Sequence, residues 1–175
     1  MRLFIAIQPD KEFRSALRAV QNELRRQGVE GNYTRVENLH LTLAFIGEYP
    51  DPNAVLEAME KVSFEPFTLR LAGLGAFGDL WWAGLEGSGN LEALARQLRR
   101  TLAEAAIPFD RKSFRPHVTL IRQARYRNDP RLDSIAVPQA RMTVERISLM
   151  LSTRGKNGMI YTELGGVPAA SEEKE

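Results

Sequence analysis

The chain has 175 residues, 43% of them hydrophobic, with a net charge of +2 and no cysteine. Such a length and composition suit one compact domain or two small lobes sharing a core, and exclude a chain disordered throughout. Without cysteine there are no disulfides, no thiolate nucleophile and no cysteine-ligated zinc.

The first element is a buried strand over residues 2 to 8, carrying Leu3, Phe4, Ile5 and Ile7. This start lacks the long apolar region and small-residue cleavage site of a signal peptide, and no stretch approaches the roughly 18 consecutive apolar residues of a membrane helix. The expectation is a soluble cytoplasmic protein without membrane association. Pro9 and Asp10 open a helix that runs to about Arg26, where Gly28 and Gly31 end it. The strand LHLTLAFIG follows, then a helix over DPNAVLEAMEKV with Asp51 as N-cap and Pro52 at its first position. FTLRLAGLGAF and LWWAGLEG read as two strands joined by a turn at Gly78 and Asp79. From Asn90 to Ala106, Leu91, Leu94, Ala95, Leu98, Leu102 and Ala105 trace one helical face. The strand HVTLIRQ, an Arg- and Pro-rich loop, and strands over RMTVERISLML and GMIYTELG complete the pattern. Residues 166–175 have little to bury and are expected to form a flexible tail.

Both histidines of the chain occur in the same frame, NLHLTLAFIG at 38–47 and FRPHVTLIRQ at 114–123. Average composition places apolar-Thr-Leu after a histidine roughly once in several hundred cases. A single His-x-Thr on a strand is ordinarily structural, its imidazole satisfied by a backbone carbonyl; two copies ask for another explanation. Each follows a helix and a loop with a basic residue, an approximate repeat that suits two similar lobes facing one cleft.

Strand geometry gives the spacing its meaning. Side chains alternate between faces, so His40 and Thr42 share one face while Leu41 and Leu43 anchor the other, and His117 and Thr119 stand in the same relation to Val118 and Leu120. Facing lobes bring two imidazoles and two hydroxyls into one small volume. A neutral imidazole accepts a proton while a charged one donates, and hydroxyls hydrogen-bond the non-bridging oxygens of a phosphate. That set suits acid-base cleavage of a phosphodiester, in which attacking and leaving oxygens lie on opposite sides of phosphorus. A zinc site would need carboxylates to complete its shell, and GLGAFGD lacks the glycine order of a dinucleotide or phosphate loop.

Arg111, Lys112, Arg115, Arg122, Arg125, Arg127 and Arg131 cluster around the second histidine with Asp129 as the only acid among them. The cluster suits a phosphate-bearing ligand or is a solvated basic loop. Five residues after each histidine stand Phe45 and Arg122, which strict alternation would send into the core. Arginine is almost never buried unpaired, so the second strand is expected to twist, bulge or end near Ile121 and release Arg122 to the cleft mouth. Phe45 then lies across the same mouth, where the two could stack on a nucleoside. The alternative keeps Phe45 in the core and Arg122 in solvent.

The paired motifs HLTLAFIG and FRPHVTLIR resemble the signature of the two-histidine phosphoesterase superfamily, in particular the bacterial and archaeal RNA 2',3'-cyclic phosphodiesterases, also called 2'-5' RNA ligases. The similarity covers nearly the whole chain: RLFIAI, RVENLHLTL, the hairpin FTLRLAGLGAF with LWWAGLEG, and SLMLSTRGKNGMIYTEL all match family segments. It implies an α+β fold, a single bilobal domain over 1–165 with two antiparallel-sheet lobes, flanking helices and a pseudo-twofold central cleft. It implies hydrolysis of a 2',3'-cyclic phosphate to a 2'-phosphate without metal or other cofactor. His40 becomes the proton donor, His117 the proton acceptor, and Thr42 and Thr119 the phosphate clamps. The partners are RNA with 2',3'-cyclic phosphate ends or small cyclic nucleotides, acted on by a monomer. Ala44, Tyr33 and Val36 depart from the basic residue, tryptophan and proline frequent in the family, which affects peripheral RNA contacts. Ligation by attack of a 5'-hydroxyl is the enzymatic alternative, and a non-catalytic RNA-end-binding module the other.

Overall fold

The computed structural model describes residues 1–170. Strand β1 (Arg2–Ile7) leads to helix α1 (Lys11–Arg26), whose first turn is capped by the Asp10 carboxylate accepting from the Phe13 amide at 2.8 Å. Gly28, at φ +86°, reverses the chain after α1 in the left-handed region that glycine adopts without strain. A strand β2 (Glu30–Tyr33) follows, then β3 (Leu41–Glu48) and helix α2 (Pro52–Met59), capped by Asp51 on the Ala54 amide. Strands β4 (Phe67–Phe77) and β5 (Leu80–Glu86) form the expected hairpin about Gly78. Helix α3 (Asn90–Glu104), strand β6 (His117–Arg125), and strands β7 (Arg141–Val144), β8 (Arg146–Gly155) and β9 (Gly158–Pro168) follow among the described residues.

The α+β class with antiparallel strands holds. Rather than two separate sheets, the strands form one nine-stranded antiparallel sheet in the order β7-β4-β5-β6-β3-β1-β8-β9, with β2 paired to β6. The order is symmetric about the β6–β3 junction, four strands to each side. At that junction one pair is in register, Leu41 with Val118, the residues that directly follow the two histidines.

Three sequence expectations need correction. The expected single strand RMTVERISLML is two, β7 on β4 and β8 on β1, at widely separated places in the strand order. Only Glu145 separates them, so the sheet curls until its distant parts approach. Strand β2 was not expected, because its sequence EGNY has no alternating apolar face; it forms by adding to β6, and Gly31 permits the approach, since a Cβ there would stand 2.8 Å from the Arg122 carbonyl oxygen. Residues 166–168 of the expected tail belong to β9, and the amides of Ala169 and Ala170 donate to the carbonyls of Glu145 and Phe64. The remainder of that tail, 171–175, lies outside the described residues.

The main core gathers the apolar sides of the helices, Phe13, Leu17 and Leu24 of α1 and Leu91, Leu94 and Leu98 of α3, with Leu3, Ile5, Leu41, Leu43, Val118 and Leu120 of the central strands. Each such side chain, fully withdrawn from water, contributes about 1.5–3 kcal/mol. The opposite faces of β1 and β8 form a small second cluster of Phe4, Ala6 and Met150, against which Phe45 and Tyr161 pack. The helices thus cover one face of the sheet, and the other carries the candidate site.

Candidate active site

His40 immediately precedes β3 and His117 opens β6. The antiparallel Leu41–Val118 pair sets their neighbourhood: one step to either side, His40 falls opposite Thr119 and Thr42 opposite His117. All four are partly exposed, whereas Leu41, Leu43, Val118 and Leu120 are buried. The expected division of faces is present in both strands.

The two imidazoles are held alike. Nδ1 of His40 lies 2.7 Å from the Asn38 carbonyl oxygen, and Nδ1 of His117 lies 2.6 Å from that of Arg115. A carbonyl only accepts, so each Nδ1 carries the hydrogen and each neutral ring keeps its lone pair on Nε2. Both contacts reach back two residues along the chain, so the loop that enters each strand also sets the tautomer.

Aromatic rings flank each histidine, a feature not read from the sequence. His40 sits between Phe4, with ring centroids 4.8 Å apart, and Tyr161, edge-on at 5.2 Å. His117 meets Phe77 edge-on at 5.4 Å and Trp82 at 6.2 Å. The Trp82 indole lies across Gly75, where a side chain would collide with it. Burial pushes the His40 imidazole below its ordinary pKa, the Asn38 carbonyl works against that, and the nearby charges of Arg122 and His117 reinforce it.

Beyond the histidines, both strands slip by one residue. Ala6 and Ile5 of β1 pair with Thr42 and Ala44, leaving Leu43 without a partner; Trp82 and Trp81 of β5 pair with Thr119 and Ile121, leaving Leu120 without one. Each strand therefore has a bulge three residues after its histidine, and the two consecutive side chains at and after the bulge are buried. The slip returns Phe45 and Arg122 to the face of the histidines. Of the twist, bulge or strand end expected near Ile121, the strand has a bulge, and Phe45, half-buried, lies on the cleft face rather than in the main core.

Two adjoining cavities share Thr42 and Phe45. One, of about 790 Å³, holds His40, Arg122, Phe4, Tyr161 and Arg154; the other, of about 500 Å³, holds His117, Phe77, Phe114, Arg99, Lys112 and Arg115. Cations outnumber carboxylates in both linings, where Glu48 pairs with the N-terminal ammonium and Asp110 accepts from the Lys112 amide. The basic cluster around the second histidine is divided by the fold. Lys112, Arg115 and Arg122 line the cleft, Arg111 stacks on Phe109, and Arg125 and Arg127 line a separate groove, where Arg125 pairs with Glu30 at 3.4 Å. No helix among the described residues is long and apolar enough to cross a membrane.

A curled antiparallel sheet backed by helices, with a matched His-x-Thr on each of its two central strands, defines a two-histidine phosphoesterase architecture. The chain belongs to the 2'-5' RNA ligase superfamily, whose family model matches residues 9–156. A relative from Aeropyrum pernix named RNA 2',3'-cyclic phosphodiesterase is 33% identical over 168 residues, which are 89% of this chain and 96% of that one. Among solved structures, TT0787 of Thermus thermophilus superposes with a TM-score of 0.76 at 31% identity, covering 99% of this chain and 100% of its own. E. coli LigT complexed with 3'-AMP superposes with a TM-score of 0.78 at 25% identity, covering 97% and 98%.

Proposed function

We propose that the protein hydrolyses RNA 2',3'-cyclic phosphate ends to 2'-phosphomonoesters by acid-base catalysis between His40 and His117, without a metal ion. The observation that carries this reading is the matched pair of imidazoles, each fixed through Nδ1 by a carbonyl two residues upstream and each beside a strand threonine. The naming of the Aeropyrum pernix relative supports the reaction, and the 3'-AMP complex of LigT supports a nucleotide as ligand.

In the proposed reaction the cyclic phosphate sits between the strands, its non-bridging oxygens accepting from the hydroxyls of Thr42 and Thr119. His117 Nε2 takes a proton from water as the water oxygen bonds to phosphorus. The bond from phosphorus to O3' breaks on the opposite side, and His40 delivers a proton to O3', leaving a 3'-hydroxyl and a 2'-phosphate. The depressed pKa of His40 makes its imidazolium a stronger acid than an ordinary one, and the negative charge of a bound phosphodiester favours its protonation. Arg122 supplies charge and a stacking plane at the mouth of the cleft, and Phe45 a second stacking surface.

The test is incubation of the purified protein with EDTA and an oligonucleotide ending in a 2',3'-cyclic phosphate. Formation of a 2'-phosphate end at an undiminished rate is expected; loss on chelation, restored by a divalent ion, overturns the metal-free mechanism. Adding an RNA with a 5'-hydroxyl measures ligation at the same site, where that hydroxyl replaces water as the attacking group.

A further inference from the structure

Each of the two bulges is held from the helical side of the sheet. A bulged residue leaves the ladder, so its carbonyl needs another donor. On β6 the Leu120 carbonyl accepts from Gln21 Nε2 of α1 at 2.9 Å and from the Thr34 amide at 2.9 Å. On β3 the Leu43 carbonyl accepts from Arg99 Nε of α3 at 3.3 Å. The two helices are in equivalent places, α1 packed against β6 and α3 against β3. Gln21 is only 1% exposed, and its amide nitrogen also donates to the Thr34 carbonyl at 2.8 Å, which ties β6 to the segment leading into the first histidine loop. Burying an amide is unfavourable unless its hydrogens find partners, and here both partners belong to the backbone around one catalytic strand.

We propose that Gln21 is a positioning residue for the reaction, acting through Leu120 to hold the slip in β6 that puts Thr119 and Arg122 together on the cleft face. Arg99 bonds the Leu43 carbonyl in the equivalent place on β3, and it also lines the cleft beside His117. Without the slip, the residue five places after each histidine would point into the core, so the stability of the bulge and the completeness of the site are one property. The proposal rests on the phosphodiesterase reading for its kinetic consequences and on the bulge geometry alone for its structural ones.

The experiment is a double-mutant cycle on hydrolysis of a 2',3'-cyclic nucleotide, using wild type, Gln21→Met, Arg122→Ala and the double variant. Gln21→Met keeps the side-chain length and removes both donors. It is expected to lower kcat/KM on the order of ten-fold, below the hundred-fold that an ångström of misplacement can cost. In the Arg122→Ala background the same change is expected to cost clearly less. A folded Gln21→Met with full activity, or an equal loss in both backgrounds, overturns the proposal, because a core defect alone would act equally in both. Gln21→Asn, which keeps the amide but withdraws it by one methylene, serves if the methionine variant does not fold. Amide hydrogen exchange at 118–122 provides a readout independent of turnover: faster exchange there than in β1 is expected, and unchanged exchange overturns the proposal. An inactive wild type would sink the phosphodiesterase reading, leaving the exchange measurement to decide on Gln21.

Discussion

The half of the cleft around His40 and the half around His117 share a backbone device and differ in what surrounds it. Both have a carbonyl on Nδ1, a threonine two residues on and a bulge one residue further. Around His40 the rings of Phe4 and Tyr161 pack on the imidazole, and burial lowers its pKa with the charge of Arg122 adding to the shift. Around His117 stand Phe77 and Trp82, and the position five residues after the histidine of the opposite half is an aromatic ring, Phe45. The repeated parts set geometry, and the unlike parts place different rings and charges beside the two imidazoles. Under the proposed division of acid from base, these unlike surroundings are what distinguish one imidazole from the other.

The strongest way to break this comparison is to remove each histidine in turn. His40→Ala and His117→Ala are each expected to lower kcat on the cyclic phosphate by about 10²–10⁴-fold, the scale of a lost general acid or base. A nitrophenyl phosphodiester separates the two, because nitrophenolate leaves without a proton. His40→Ala should recover much of its loss on that substrate while His117→Ala stays impaired. Recovery in His117→Ala instead reverses the roles.

Threonine substitutions test the shared part. Thr42→Ala and Thr119→Ala should each weaken transition-state stabilisation by about 1–3 kcal/mol, with comparable losses from the two halves. A double variant at full rate would remove the hydroxyls from the mechanism. Arg122→Ala tests the unlike part. With its charge gone, the His40 imidazole should titrate at higher pH, visible by NMR in a protein with only two histidines, and one limb of the bell-shaped pH profile should move upward with it. Phe45→Ala should raise KM for 2',3'-cyclic nucleotides without that movement.

The smallest expected effect is on stability. The folded His40 has a lower pKa than the unfolded chain, where imidazole titrates near 6.5, so the unfolded state binds more protons just below that pH. Stability from this source is present above about pH 6.5 and is lost as the pH falls towards the folded value. His40→Gln should flatten the fall in Tm between neutral and mildly acidic pH; an identical fall in wild type and variant would remove the linkage.

The histidine–threonine geometry was legible because strand alternation is local and two copies of a rare frame carry more information than one. That β6 departs from strict alternation near Ile121 was legible too, since Arg122 is incompatible with a continued core face, but whether by twist, bulge or strand end was not. The aromatic partners were not. Phe4, Phe77, Trp82 and Tyr161 come from four strands whose neighbours are set by sheet order, which no local pattern encodes. Nor was the break at Glu145 visible, because RMTV and RISLML both alternate as strands do and only the curl of the sheet separates them. Phe4 did carry a hint, lying in a strand apolar on both faces, which implies something packed on the side away from the helices.

In the proposed reaction the carbonyl contacts on Nδ1 also bear on how the site recovers after each turnover. In the proposed reaction His40 ends neutral and His117 ends charged, so the pair must exchange protons with solvent before acting again. A carboxylate on either Nδ1 would trap the imidazolium and slow that reset. The Asn38 and Arg115 carbonyls orient the rings while carrying no net charge. In the proposed cycle the contact on Nδ1 therefore adds no fixed charge to either imidazole.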